Sequence, residues 1–265
     1  MSQQNFSKVM SFYDHIDELR VRFMRSLTVF LIGFIICYFF ADFFLEILRK
    51  PLFDAVPPEQ QKLYFTHLFE NFMMHLKIAG YASLFVFSPY YFYEFWEFVS
   101  PGLRPSERKM VVPFVTMATF FFAAGAFFAY FVLFPVGFKY FISYGGPSDV
   151  PLLTIDSYYG TCLKLLLLFG IAFELPVLIV LLGYFGLIDA ATLKAHRRTA
   201  VVGITVMAAL FAPPDAISML LLGAPLILMY EGAIWVVHWM GVKRKVASSE
   251  EQASAHYDPF RGESR

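Results

Sequence analysis

Residues 110–134, MVVPFVTMATFFFAAGAFFAYFVLF, carry no charged side chain from end to end. As an α-helix rising 1.5 Å per residue, such a run is about 37 Å long, enough to cross a hydrocarbon layer of roughly 30 Å. The rest of the chain follows suit. Of its 265 residues 58% are hydrophobic and 19% aromatic, with a mean hydropathy of +0.59. Charged residues make up 16%, against roughly 25% in an ordinary soluble domain. The excess lies in several long apolar runs rather than in one core, so the reading is an all-α polytopic membrane protein. A formal net charge of zero, with no basic–aromatic stripe, gives no sign of a nucleic-acid partner.

Working outward, six spans are predicted at about 23–41, 78–93, 110–134, 163–185, 199–212 and 216–235, all in one membrane domain of residues 1–242. The second is interrupted by Pro89, and the fifth ends at Pro213-Pro214, where proline supplies no amide donor. The last two are read as short, a hairpin reaching most of the way across. Residues 243–265 are polar and are expected to be a disordered cytoplasmic tail. The polar first twenty residues and the length of the first run argue against a cleavable leader. Cys37 and Cys162 both fall in apolar runs without metal-ligand spacing, and are expected to be free thiols packed as small hydrophobes.

Loop charges set the orientation. With the N-terminus inside, six spans place fifteen Lys and Arg residues in cytoplasmic segments and leave six outside or in the membrane; the positive-inside rule then predicts both termini in the cytoplasm. On the outer side, Glu46–Lys77 contains Pro51, Pro57 and Pro58, followed by an amphipathic stretch from Leu63 to Leu76, expected as a short helix over the outer face. A Gly/Pro/Asp-rich turn at 145–157 leads to Tyr158 and Tyr159 at the interface.

Two cytoplasmic patches hold candidate functional residues. The first is HIDELRVR, residues 15–22; alone it reads as a helical lead-in whose arginines meet anionic lipid head groups. The second is FVSPGL at 98–103 with ERK at 107–109; alone it is an aromatic interface belt followed by a turn. Together they resemble the TatC family, which opens on His-Leu-x-Glu-Leu-Arg-x-Arg, here with Ile16 for the leucine. That family continues with an aromatic-rich F-x-x-P-x-L segment and E-R-(R/K). FAYFVLFP at 128–135, FGIAFELPVLIVLL at 169–182 and APPD at 212–215 extend the resemblance, in order, over about residues 12–240.

The resemblance implies a receptor in the inner membrane for folded cargo whose signal peptide carries two adjacent arginines. Carboxylates suit that task, because the planar guanidinium offers paired donors and stays charged. Glu107 is expected as the main partner of the arginines and Glu18 as the second. Leu19 and Phe98 would receive the apolar residues that follow, and Pro101 shapes the loop. Arg20 and Arg108 would orient the carboxylates or contact lipid and backbone carbonyls. Implied partners are TatA-type and TatB-type single-span subunits, further copies of the chain and membrane lipids, with the proton-motive force driving transport and no cofactor.

Glu174, within the fourth span, is a polar point in an otherwise apolar helix. Such residues cost roughly 2.5–3.5 kcal/mol at mid-membrane and usually face a cavity or partner. Pro176 withholds the hydrogen bond that the Ala172 carbonyl would accept, favouring a local opening. The resemblance implies that Glu174 engages a partner helix in a concave membrane face; Asp215, Pro51 and Ser218 complete the expected partner-contact set. Asp215 also reads as an N-cap for the sixth helix. A proton-coupled small-solute transporter using Glu174 is the alternative, but it calls for further membrane carboxylates and a repeat, neither of which is evident. A membrane hydrolase lacks any visible catalytic cluster in the spans, and there is no P-loop.

Overall fold

The computed structural model describes residues 12–99, 111–143, 152–211 and 216–256; side chains are described at 13, 15–99, 111–143, 152–210 and 219–241. Two compact units part between Ile171 and Ala172. The described backbone is helical apart from turns, loops and one isolated parallel bridge, Tyr64 with Thr154.

The first unit begins with α1 (Phe12–Phe39), which is followed at once by α2 (Ala41–Phe53). This corrects the sequence reading: the separate helix in this region is α2, whereas the segment 63–76 makes the bridge and then enters α3 (Glu70–Val86). The pattern of α2 explains its place. Ala41, Leu45, Leu48 and Leu52 are buried at helical spacing, while Asp42, Glu46, Arg49 and Lys50 punctuate the other face.

Pro51 lies inside α2 and is buried. It has no amide for the carbonyl of Ile47, and the Tyr130 hydroxyl donates to that oxygen instead, at 2.9 Å. Tyr158 donates to the Leu48 carbonyl at 2.6 Å and Tyr159 to that of Leu45 at 3.3 Å. Three tyrosines thus pin α2, and Tyr158 and Tyr159 are core residues rather than interface aromatics.

α3 packs along α1 at very short range. A β-carbon on Gly33 would lie 2.5 Å from Ser83 Oγ and 2.7 Å from the Phe87 ring, so only glycine allows this approach. Ser83 Oγ donates to the Phe30 carbonyl at 3.1 Å. Beside this contact, Cys37, Ala79 and Ala82 form an apolar cluster with Phe34 and Phe44; Cys37 and Cys162 are both buried free thiols, as expected.

Helix α3 stops at Phe87 and α4 (Ser88–Val99) starts directly after it. Pro89 deprives the Phe85 carbonyl of its usual donor, and Ser88 Oγ supplies one at 2.8 Å. The charge-free run becomes α5 (Val111–Phe128), a π-helical turn over Ala129–Leu133, and α6 (Phe134–Ser143), helical for 33 residues in all. The π turn lies just ahead of Pro135, whose ring disturbs the regular ladder. α7 (Ile155–Ala172) begins eight residues earlier than the predicted fourth span, because the tyrosines that resemble a boundary are helical and buried.

In the second unit, α8 (Glu174–Tyr184) starts after a break at Phe173, where Pro176 is expected to open the helix. Gly186 adopts a φ of 73° and turns the chain. Asp189 then caps α9 (Ala190–Ala195) by accepting from the Thr192 amide at 2.8 Å. α10 (Arg197–Phe211) is short, as predicted, at 15 residues. α11 (Ala216–His256) is not: it has 41 residues, so the sixth span is longer than expected and the segment 243–256 is helical rather than a disordered tail. Within it, Glu231 pairs with Arg197 at 2.6 Å. Among the described residues four helical stretches are long and apolar enough to cross a membrane: His15–Phe39, Val111–Ser143, Ile155–Tyr184 and Met219–Gly241. The remaining two predicted spans correspond to the broken α3–α4 pair and to α10.

Candidate functional site

The N-terminal end of α1 and the C-terminal half of α4 come together, and their charged residues meet. Glu18 and Arg22 are one turn apart with the acid N-terminal, the favourable order on a helix. Arg22 Nη2 and Nε both donate to Glu18 Oε1, at 2.6 and 3.0 Å. From α4, Glu94 Oε2 accepts from Arg22 Nη1 at 3.2 Å, and Glu97 Oε2 lies 3.6 Å from Nη2. The Tyr90 hydroxyl donates to Glu94 Oε1 at 2.8 Å. One guanidinium therefore sits among three carboxylates.

Burial grades these acids. The Glu94 side chain is 6% exposed, Glu18 16% and Glu97 33%. Glu94, with both oxygens bonded, is a core anchor; Glu97 faces the edge. Behind them Trp96 is buried against Phe114 of α5, with ring centroids 5.4 Å apart. His15 stacks on Phe98 at 4.4 Å and an interplanar angle of 16°, joining the two motif-bearing segments. A cleft of about 320 Å³ lined by Asp17, Glu18, Val21, Arg22 and Arg25 opens beside the Glu18–Arg22 pair.

Of the sequence candidates, Glu18 and Phe98 are brought to this patch. Leu19 and Arg20 are exposed beside it. Glu107, Arg108 and Pro101 lie outside the described residues, as does Asp215. Ser218 is in the first turn of α11, its side chain outside the described set. Glu174, half-buried, opens α8 in the second unit, and Pro51 belongs to the pinned helix α2.

Sequence reasoning misses Arg22 as the hub and misses Glu94 and Glu97 altogether. The signals are there: an acid and a base four apart at 18 and 22, and two acids three apart inside the aromatic run that reads only as an interface belt.

A second polar knot ties the start of α3 to the loop before it and to α7. Glu70, buried at the start of α3, accepts from the amides of Asp156 (2.8 Å), Thr66 and His67 (3.2 Å) and from Thr66 Oγ1 (2.8 Å). These donors, the Asp156 amide foremost, hold its carboxyl down at about 2. His75 bonds the Asn71 carbonyl at 2.8 Å and Asp42 at 3.0 Å. Burial works against its charge, yet those two contacts raise its pKa above the ordinary histidine value.

This fold defines a multi-pass helical membrane protein with a pinned second helix and a charged patch where α1 and α4 meet. A family model described as Sec-independent protein translocase protein (TatC) matches residues 14–225, and the chain belongs to that family. It is 37% identical over 247 residues to the TatC protein of Desulforapulum autotrophicum, covering 93% of this chain and 90% of that one. It is 37% identical to the TatC protein of Campylobacter jejuni, covering 89% and 97%. Two crystal structures of the twin arginine translocase receptor TatC, one of them in DDM, superpose with TM-scores of 0.73 and 0.75 at 32% identity. They cover 84% of this chain and 97% and 98% of theirs. The protein is thus a component of the Sec-independent, twin-arginine protein translocase, a multi-pass membrane subunit of a transport system.

Proposed function

We propose that this chain is the signal receptor of that translocase, binding a twin-arginine signal peptide at its cytoplasmic face. The observation that carries the reading is the patch at α1 and α4, where carboxylates already hold a guanidinium in a largely desolvated setting. Exposed ion pairs contribute only about 0–1 kcal/mol each; burial such as that of Glu94 and Glu18 raises their worth and their selectivity for a planar, forked cation. Glu18 and Glu107 take the two arginines, Leu19 and Phe98 the apolar residues after them, with Arg20, Arg108 and Pro101 shaping the rim. The similar protein seen in the two crystal structures is itself described as a receptor, which agrees with this assignment.

The reading includes six spans in the bacterial inner membrane with both termini in the cytoplasm, supported by the loop-charge asymmetry. Glu174, Asp215, Pro51 and Ser218 belong to surfaces that recruit TatA-type and TatB-type helices, and the proton-motive force drives export. The test is export of a folded reporter in cells lacking the chain, complemented with it. A twin-arginine signal should restore export and a twin-lysine signal should not; equal export by both would refute the receptor role.

A further inference from the structure

The charge patch has a feature that receptor function alone does not require. Three carboxylates face one arginine, Arg22, with Arg25 beside them on the wall of the cleft. The fork of Arg22 is also used asymmetrically. Nε and Nη2 both converge on Glu18 Oε1, whereas the usual strong guanidinium–carboxylate pair uses both oxygens. Glu18 Oε2 is shielded from solvent and has no hydrogen-bond donor among the described residues. A buried acceptor left open in this way is costly, and it lies in a group that already holds a guanidinium.

We propose that Arg22 is a built-in stand-in for the signal, occupying part of the seat that the receptor offers to an arriving arginine. This rests on the receptor reading above. An incoming guanidinium takes Glu18 Oε2 and then competes for Oε1. Arg22 gives way on Glu18 but keeps Glu94, to which it is bound at 3.2 Å through a different nitrogen. The cleft beside the pair gives access. Two consequences follow. Arg22 lowers the affinity of the resting site, so that cargo can leave again. It also sets a threshold that a lysine fails to clear, because a point-charge ammonium lacks the fork needed to displace a bound guanidinium.

The test uses the full chain in phospholipid nanodiscs and fluorescent synthetic signal peptides with a twin-arginine or twin-lysine pair, read by anisotropy. Wild type must prefer the twin-arginine peptide; if it does not, the receptor reading itself fails, whatever Arg22 does. Given that preference, Arg22→Lys keeps the counter-charge that Glu94 needs but weakens the hold on Glu18. It should tighten twin-arginine binding by about three- to fivefold, the factor expected for easing one partly exposed ion pair. Arg22→Gln should tighten it at least as much if its thermal unfolding stays near wild type; if that variant does not fold, Arg22→Lys alone decides. Unchanged or weaker binding by Arg22→Lys overturns the proposal and makes the pair a scaffold.

Discussion

Pro51 offers a perturbation whose effect can be worked out from the structure. In a regular helix the amide of residue 51 would bond the Ile47 carbonyl; proline has none, and Tyr130 Oη stands in at 2.9 Å. Removing that hydroxyl with Tyr130→Phe strands the carbonyl. A hydrogen bond of this kind contributes about 0.5–1.5 kcal/mol net. Ile47 is 39% exposed, which lets the oxygen rehydrate in part, so the expected loss is about 0.5–1 kcal/mol. In a Pro51→Ala background the amide is restored and the same Tyr130→Phe change should cost close to nothing. The double-mutant cycle therefore yields a coupling of about 0.5–1 kcal/mol, measurable by equilibrium unfolding with SDS in mixed micelles. Tyr158→Phe is the control: its hydroxyl bonds the Leu48 carbonyl, whose own helical partner is Leu52, so its cost should not depend on residue 51. If the Tyr130→Phe penalty is the same in both backgrounds, the hydroxyl does not substitute for the missing amide and the reasoning is wrong.

Three other outcomes are expected. A β-carbon on Gly125 would sit 2.3 Å from the backbone oxygen of Phe169, whereas one on Gly80 meets nothing nearer than 3.9 Å. Gly125→Ala should then destabilise by about 1–3 kcal/mol, and Gly80→Ala should be neutral or gain up to about 1 kcal/mol from helix propensity; the same unfolding assay reads both. Because the folded carboxyl of Glu70 titrates at about 2 instead of 4.5, its stabilisation is present above 4.5 and fades as pH falls toward 2. The stability gap between wild type and Glu70→Gln should accordingly be constant at neutral pH and close across that acid window; a gap that widens on acidification would contradict the assignment. Finally, Glu94→Gln should destabilise more than Glu97→Gln, by about 1–3 kcal/mol against less than 1, since the first weakens a buried charge pair and the second a rim contact.

The fold is legible where one physical term dominates. The charge-free run at 110–134 could only be a long helix, and Pro89 and Pro176 mark real boundaries. Errors arise where a local signal is overridden by a partner distant in sequence. Tyr158 and Tyr159 look like interface aromatics because their bonds to the Leu48 and Leu45 carbonyls, 110 and 114 residues away, are invisible to a window of hydropathy. Residues 63–76 have a fair amphipathic pattern, but the bridge of Tyr64 to Thr154 and the knot at Glu70 draw them into another arrangement. For the patch, motif resemblance supplies Glu18 and Phe98 and nothing supplies Glu94. An acid among aromatics is scored as an interface residue until a helix from elsewhere brings an arginine to it.

The prolines connect these observations to the site. A helix that carries proline leaves one carbonyl without its backbone donor, so a hydroxyl or a break must make good the loss. Here Pro51 has Tyr130 and Pro89 has both a break at Phe87 and the Ser88 hydroxyl on the Phe85 carbonyl. The break matters most for α4. Up to Phe87 the chain is bound to α1 by the tight contact at Gly33 and Ser83, which leaves little freedom for adjustment. Interrupting the ladder there lets α4 take its own course, against Phe114 through Trp96 and against Arg22 through Glu94. The rigid contact of α1 at Gly33 and its charged contact at Arg22 can thus meet different demands. That separation allows a site whose internal arginine must move to rest on a helix pair that must not.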